Sequence, residues 1–276
     1  ALSRNGSMTM TKGWGVRVAA AIGLAGSVAA APVSGQLAEE VKGVERGSLR
    51  FEVAVKPDVE VCANGVRWGD DRMHWRRDDE DRADVCVQDR ADVVLEVRRG
   101  VVQDVAIVPP GVEPRGGFDG PVTSLGAVEA AGAADFLLGL AFDGATSDAA
   151  EDAILPAVLI DSGDRWEELL DIARSEGLHR GVRKSALFWA GQAAADVVTE
   201  ELSDVAMDSA EDQEIRNAAV FALSQRGDSE SVPVLMELAQ DADEAETRKT
   251  AMFWLAQSDD PRVVAFFQDI LVRRNR

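Results

Sequence analysis

Residues able to do chemistry are few in this sequence, and they are scattered. There are two cysteines, Cys62 and Cys86, and two histidines, His74 and His179. No Cys-x-x-Cys occurs, no metal-ligand pair shares a helix face, and His74 is the only imidazole near a cysteine. Zinc is therefore a poor match. Nucleophile-elbow, P-loop and dinucleotide fingerprints are missing as well. Carboxylate pairs abound, but 49 acidic residues in 276 produce such pairs by chance and single out no acid–base couple. The sequence predicts no catalytic residue, no metal and no cofactor, hence no enzyme.

What remains open to the cysteines is each other. Each sits in a short apolar stretch, and the two are 24 residues apart. In an oxidising compartment an isolated pair in a small domain reads as a disulfide, Cys62 to Cys86; two buried thiols are the other reading. The compartment is read from the N-terminal segment. After Met8 or Met10 come Lys12 and Arg17, then an apolar run from Val18 to Val33 rich in Ala and Gly. A basic start, a short apolar core and small residues at the end make a secretory signal peptide. It is assigned to residues 1–35, with 1–7 upstream of it and cleavage after Ala30 or Gly35. The run is short and weak for a membrane span, so no stable span is expected once it is removed. The expected location is periplasmic or extracellular.

Composition narrows the partners. The net charge is −20, and taking away Arg4, Lys12 and Arg17 with residues 1–35 makes it −23. A surface that acidic, with Lys and Arg scattered, argues against binding nucleic acid.

The elements that position these residues are legible from a repeat. Arg183 to Gln192, Arg216 to Gln225 and Arg248 to Gln257 are three versions of one segment, beginning 33 and 32 residues apart. Between them lie Leu169–Ala173, Leu202–Ala206, Leu235–Ala239 and a looser Asp269–Leu271. Apolar residues at i, i+3 and i+4 make each a helix with one buried face. Each unit thus holds an A helix of the Leu-x-x-apolar-Ala kind and a B helix opening at Arg. Units of this length stack into a solenoid in which each buries its apolar face on its neighbours. Asp260-Pro261 reads as an N-cap with proline first in the helix. Asp164 with Glu167, and Asp243 with Glu246, have capping-box spacing.

The array resembles the HEAT-repeat superfamily, in particular the short bacterial repeats of phycobilisome-lyase-like proteins. The matching residues are Val182-Arg183, Ile215-Arg216 and Thr247-Arg248, with Ala186, Ala219 and Ala251 inside the helices. Thr247 departs from the usual Val or Ile. The Phe-Trp pairs and terminal Gln are similar to a subset of secreted bacterial HEAT proteins. The resemblance covers roughly 164–273. It implies a solenoid and protein binding, and it admits an alternative: a lyase-like or accessory enzyme of the HEAT-type lyase class.

Within the repeats, Arg183, Arg216 and Arg248 stack at equal height. They read as a structural ladder bridging adjacent repeats, with a cationic ridge for an acidic partner as the other reading. Gln192, Gln225 and Gln257 close the B helices and read as amides bonding the following turn. Phe188, Phe221 and Phe253 precede Trp189, Ala222 and Trp254. Adjacent residues lie about 100° apart on a helix, so one of each pair is buried and the other is available to line a groove. Trp189 and Trp254, with Lys184 and Lys249, are the candidate side chains for a protein or peptide partner; core packing is the competing reading for the tryptophans.

Ahead of the repeats, residues 48–108 alternate as short strands. Leu49–Val55, Val93–Val97 and Val101–Val108 are the clearest, the last two joined at Arg99-Gly100 in a hairpin. They predict a small antiparallel β domain of four or five strands. Gly69 to Asp84, with Trp75, reads as a solvated charged loop. Residues 109–124 have linker composition, and 125–161 read as a divergent pair of capping helices with Pro156 shortening the second. The fold class expected is α+β, an antiparallel sheet followed by an α-α solenoid of HEAT-like repeats over 164–273.

Overall fold

The computed structural model describes residues 32–68, 73–76, 85–193 and 195–274, with the backbone alone at 73–76 and 273–274. Most of the expected signal segment and most of the charged stretch Gly69–Asp84 lie outside the described residues. In chain order the elements are α1 (Val33–Lys42), β1 (Arg46–Ala54), β2 (Val59–Cys62), β3 (Gly65–Trp68), β4 (Met73–Arg76), β5 (Cys86–Val87), β6 (Arg90–Arg98), β7 (Val101–Val108) and β8 (Val122–Ala127). The helices α2 (Ala130–Gly139), α3 (Ser147–Leu159), α4 (Trp166–Arg174), α5 (Arg180–Gly191), α6 (Val197–Met207), α7 (Gln213–Ser224), α8 (Asp228–Asp241), α9 (Ala245–Leu255) and α10 (Pro261–Arg274) follow.

The strands form two four-stranded sheets, ordered β7-β6-β1-β8 and β4-β3-β2-β5, where the sequence predicts one. In the first, Leu49, Phe51 and Val53 of β1 face Leu95, Val93 and Ala91 of β6, and all six are buried. Alternation with period two puts them on one face, against Leu37 and Val41 of α1 and Leu137 of α2. The β6–β7 turn has Arg99 and Gly100 both at positive φ, 52° and 71°, the geometry that suits a tight hairpin. On the other face Arg50 holds the loop after β7. It donates to Asp92 Oδ2, to the Val112 carbonyl and to Glu113, while the Gly111 amide also donates to Asp92.

Only the end of the linker expected over 109–124 joins this sheet, since 109–121 are turns and coil. Pro121 accepts a hydrogen bond from Ser48, and β8 then runs parallel to β1 as the sheet's edge. Leu125 to Ala127, read from the sequence as the start of a helix, are therefore strand, and α2 begins only at Ala130. A parallel edge strand that is mostly exposed carries no alternation, so nothing in its sequence marks it. Three more differences accompany it. The helix α1 was not foreseen; Met73–Arg76 is a strand paired with β3 inside the stretch read as loop; and the first sheet shares its core with the helices, while Val55, Val59, Val61, Val66, Ala91 and Leu159 form a second, smaller core. The end of β1 and the residues after it meet the end of α3, Lys56 N–H donating to the Leu159 carbonyl and Asp161 N–H to the Ala54 carbonyl.

From α2 onward the helices pair. The A helices α4, α6 and α8 bury Leu169–Leu170–Ile172–Ala173, Leu202–Val205–Ala206 and Leu235–Leu238–Ala239. The B helices α5, α7 and α9 bury Val182–Ala186–Ala190, Ile215–Ala219–Leu223 and Thr247–Ala251–Leu255. Asp260 caps α10 by accepting from Arg262 N–H at 2.8 Å, as its pairing with Pro261 predicts, and Asp212 caps α7 likewise. The two capping boxes do not form: α4 follows Arg165 and α9 follows Glu244, neither with a side-chain cap. Arg165 instead reaches back to the Ala131 carbonyl and Asp135 of α2, and Arg248 closes the loop before α9 on the carbonyls of Ala242 and Asp243.

Candidate functional site

The B helices carry a line of aromatic rings in contact. Trp68 of β3 stacks on Trp189 of α5 at 5.9 Å between centroids, and Trp189 meets Phe188 edge to face at 4.9 Å. Phe188 stacks on Phe221 of α7 at 5.8 Å, Phe221 meets Trp254 of α9 at 5.1 Å, and Trp254 meets Phe253 edge to face at 5.1 Å. These separations are the favourable range for aromatic pairs. The line therefore runs from the second sheet across three layers of the array.

The candidate groove walls behave differently from the expectation. Trp189 is 5 % exposed and belongs to the junction between sheet and array, so it offers no wall. Trp254 is half-buried, and Phe253 beside it is 56 % exposed. Ala222 is fully buried beneath Gly191, where an added Cβ would lie only 3.1 Å from that of Ala222. The close approach of α5 to α7 explains the Ala: a tryptophan there would collide with the end of α5. What solvent sees along the line is Phe188, Phe221 and Trp254, each half-buried, and Phe253. Lys184 lies 3.5 Å from Glu214 on the next B helix, and Lys249 lies 2.9 Å from Glu246 on its own. These exposed pairs contribute little to stability and keep both lysines beside the aromatic line.

The arginine ladder splits into two kinds. Arg183 is buried and bridges repeats: Nε donates to the Ala173 carbonyl at 2.6 Å, and both terminal nitrogens pair with Glu211 before α7. Arg216 and Arg248 stay within their own repeats, donating to loop carbonyls at 208–211 and 242–243. The glutamines share no role. Gln225 donates to Ser224 and is exposed, Gln257 is exposed, and Gln192 has Nε2 buried without a hydrogen-bond partner among the described residues.

Sequence reasoning missed the residues that do fasten turn to turn. Arg226, 9 % exposed, donates from Nη1 to the carbonyls of Gly191 and Ala193 and from Nη2 to that of Ala195, and pairs with Glu230. Gly191 closes α5, where helix acceptors otherwise lack partners, and Ala193 and Ala195 lie in the loop that follows. The Arg226 hydrogen bond, then its charge, holds the Glu230 carboxyl below its ordinary value. Arg262 of α10 reaches back to the start of α8, donating to the Asp228 carbonyl at 2.9 Å. Arg165, Arg226 and Arg262 follow no fixed spacing, so no periodicity announces them.

Beside the Trp68–Trp189 stack lies a cleft of about 560 Å³, lined by Lys56, Asp58, Trp68, Trp166, Trp189 and Gln192 among others. Lys56 Nζ sits 5.3 Å from the Trp68 ring centroid, a cation–π contact, and Trp68 Nε1 donates to Asp58. The reactive groups are engaged elsewhere. Cys62 and Cys86, cross-strand partners in β2 and β5, form the disulfide. With both sulfurs joined, the cluster they make with Glu60 has no thiolate for a metal. His179 accepts from Gly181 N–H as the cap of α5, and the His74 side chain is outside those described.

Paired helices with periodic buried faces, fastened layer to layer by arginines, define an α-solenoid. Residues 167–256 and, overlapping them, 199–276 match the family model for HEAT repeats. Over residues 167–276 the helical array is a HEAT-repeat array. No curated protein and no solved structure matches the chain.

Proposed function

We propose that this protein is a noncatalytic interaction scaffold of the bacterial cell envelope, holding a protein or peptide on the B-helix face of its HEAT array. The observation that carries the reading is the line of half-buried rings at Phe188, Phe221 and Trp254, flanked by Lys184, Glu214 and Lys249. Partly exposed aromatics bordered by charges are the composition of binding hot spots. The net charge of −20 sets nucleic acid aside as the partner.

Export is supported by the basic and apolar segment before residue 34 and by the disulfide, which persists in oxidising compartments. No described helix is long and apolar enough to cross a membrane. The packing of α1 favours cleavage after Ala30 over cleavage after Gly35. Val33 abuts Gly132 of α2 so closely that a Cβ on Gly132 would lie 2.5 Å from Val33 Cβ. Cleavage after Ala30 keeps that contact and the first turn of α1, whereas cleavage after Gly35 removes both.

The test is affinity capture from envelope extract with wild-type chain and with Phe221→Ala and Trp254→Ala. A specific partner should bind the wild type and bind both variants at least tenfold more weakly. Undiminished binding by variants that keep their helical signal sinks the aromatic face as the site.

A further inference from the structure

The cleft beside the Trp68–Trp189 stack gathers side chains from distant parts of the chain. Lys56 and Asp58 come from the loop after β1, Asp161 and Asp164 from the turn before α4, Trp166 from the first position of α4, and Gln192 from the cap that closes α5. About 560 Å³ is the size of a small-molecule site, and a junction between two parts of a fold is where such sites commonly lie. Its donors are under-used. The Lys56 side chain is 16 % exposed, yet its ammonium makes no hydrogen bond among the described residues; Asp164 lies 3.9 Å away, too far for one. Gln192 Nε2 is buried and has no partner there either. Trp166 is half-buried, and its ring meets no other ring among the described residues.

These groups select the chemistry of what fills the cleft. A cation finds the Trp68 ring already occupied by Lys56. An anion meets the carboxylates of Asp58, Asp161 and Asp164, and the donors of Arg165, the second cation in the lining, are committed to Ser162, Asp135, Glu168 and the Ala131 carbonyl. An apolar molecule would strip water from Lys56 and from those carboxylates without replacing its hydrogen bonds. A hydroxyl meets both needs at once: its oxygen accepts from an ammonium or an amide while its hydrogen goes to a carboxylate. A sugar ring carries several hydroxyls round its edge and a face of C–H groups that packs on the flat apolar face of an indole. We propose that the cleft is a saccharide site. It takes a neutral glycan, one ring against Trp166, with hydroxyls shared between the donors Lys56 and Gln192 and the acceptors Asp161 and Asp164. The assignment does not rest on the reading of the B-helix face.

The experiment is titration of the whole chain with neutral trisaccharides of glucose, of mannose and of N-acetylglucosamine, and with trigalacturonate as the charged counterpart. Binding is read by tryptophan fluorescence and by saturation-transfer NMR up to about 20 mM, enough to fill a site of about 1 mM affinity. At least one neutral sugar should saturate the site, and Trp166→Ala and Lys56→Met should each weaken it at least tenfold. Gln192→Met removes a donor that has no partner in the free protein, so it should keep the unfolding midpoint and still weaken the sugar. Phe142→Ala, at a ring 58 % exposed in the turn after α2, should bind as the wild type does. The proposal is overturned if no neutral sugar saturates, or if trigalacturonate alone does. Undiminished binding by the Lys56 and Gln192 variants overturns it too, even where Trp166→Ala proves too unstable to read.

Discussion

The sheet half and the repeat half of this molecule are held together by different reaches of chain. β1 pairs with β6 and with β8, segments that lie some forty to seventy-five residues away, and α1 closes over the same core. The second sheet is stapled by Cys62–Cys86 and shares a small core with Leu159 of α3. In the array each helix packs on its neighbours about 33 residues off, and Arg183, Arg226 and Arg262 fasten one layer to the next. The lesson is that the molecule is assembled under two rules: the sheet side must form as a whole, while the array can loosen layer by layer.

The largest effect that would sharpen this contrast is expected at Phe51, fully buried between β1 and the helices. Phe51→Ala should cost about 4 kcal/mol, by the lost ring and the cavity left behind. Urea unfolding should show it, with hydrogen exchange accelerated through both β1 and β6. If exchange rose in β1 alone, the sheet side would not be the cooperative unit described here.

A smaller and more local loss is expected from Arg226→Ala, which strips donors from three carbonyls at and just after the end of α5 and leaves Glu230 without its guanidinium. We expect about 2 kcal/mol, confined to α6–α8, with the sheet's exchange unchanged. Acid reads the same contact. Glu230 has its folded value lowered from 4.5, chiefly by the Arg226 hydrogen bond, so its contribution is present above pH 4.5 and is lost as pH falls through the depressed value. The thermal midpoint of wild type should therefore drop on acidification below pH 4.5 more than that of the variant; equal slopes would remove Glu230 from the account.

The smallest effect runs in the opposite direction. Thr247 is fully buried where Val182 and Ile215 stand in the other repeats, and its hydroxyl has no hydrogen-bond partner among the described residues. Thr247→Val should stabilise the third repeat by about 1 kcal/mol, read as a higher urea midpoint at constant slope. A lower midpoint would mean that the hydroxyl has a structural task.

The same division decides what the sequence discloses. The array was legible because Arg183, Arg216 and Arg248, and the alanines at 173, 206 and 239, repeat at the spacing of the contacts themselves. Thr247 even announced its own defect. β8 was illegible because its partner β1 lies far away and its exposed face supplies no alternation. Met73–Arg76 was hidden by charge, since a strand held by backbone pairing to β3 can carry polar residues. At the candidate site the aromatic types were visible, but which ring faces water was not. Burial of Trp189 depends on Trp68, a residue 121 positions earlier, and Ala222 owes its size to Gly191 on the helix before.

The indoles of Trp68 and Trp189 lie stacked at 25° across the seam between sheet and array. Two such chromophores at 5.9 Å couple their transitions, and the coupling vanishes once they part. The seam thus carries its own optical label: circular dichroism near 225 nm and in the near ultraviolet (about the wavelengths at which indoles absorb) reports whether the two halves are joined. A ligand that pried the sheet from the array would dim that signal while every helix stayed folded.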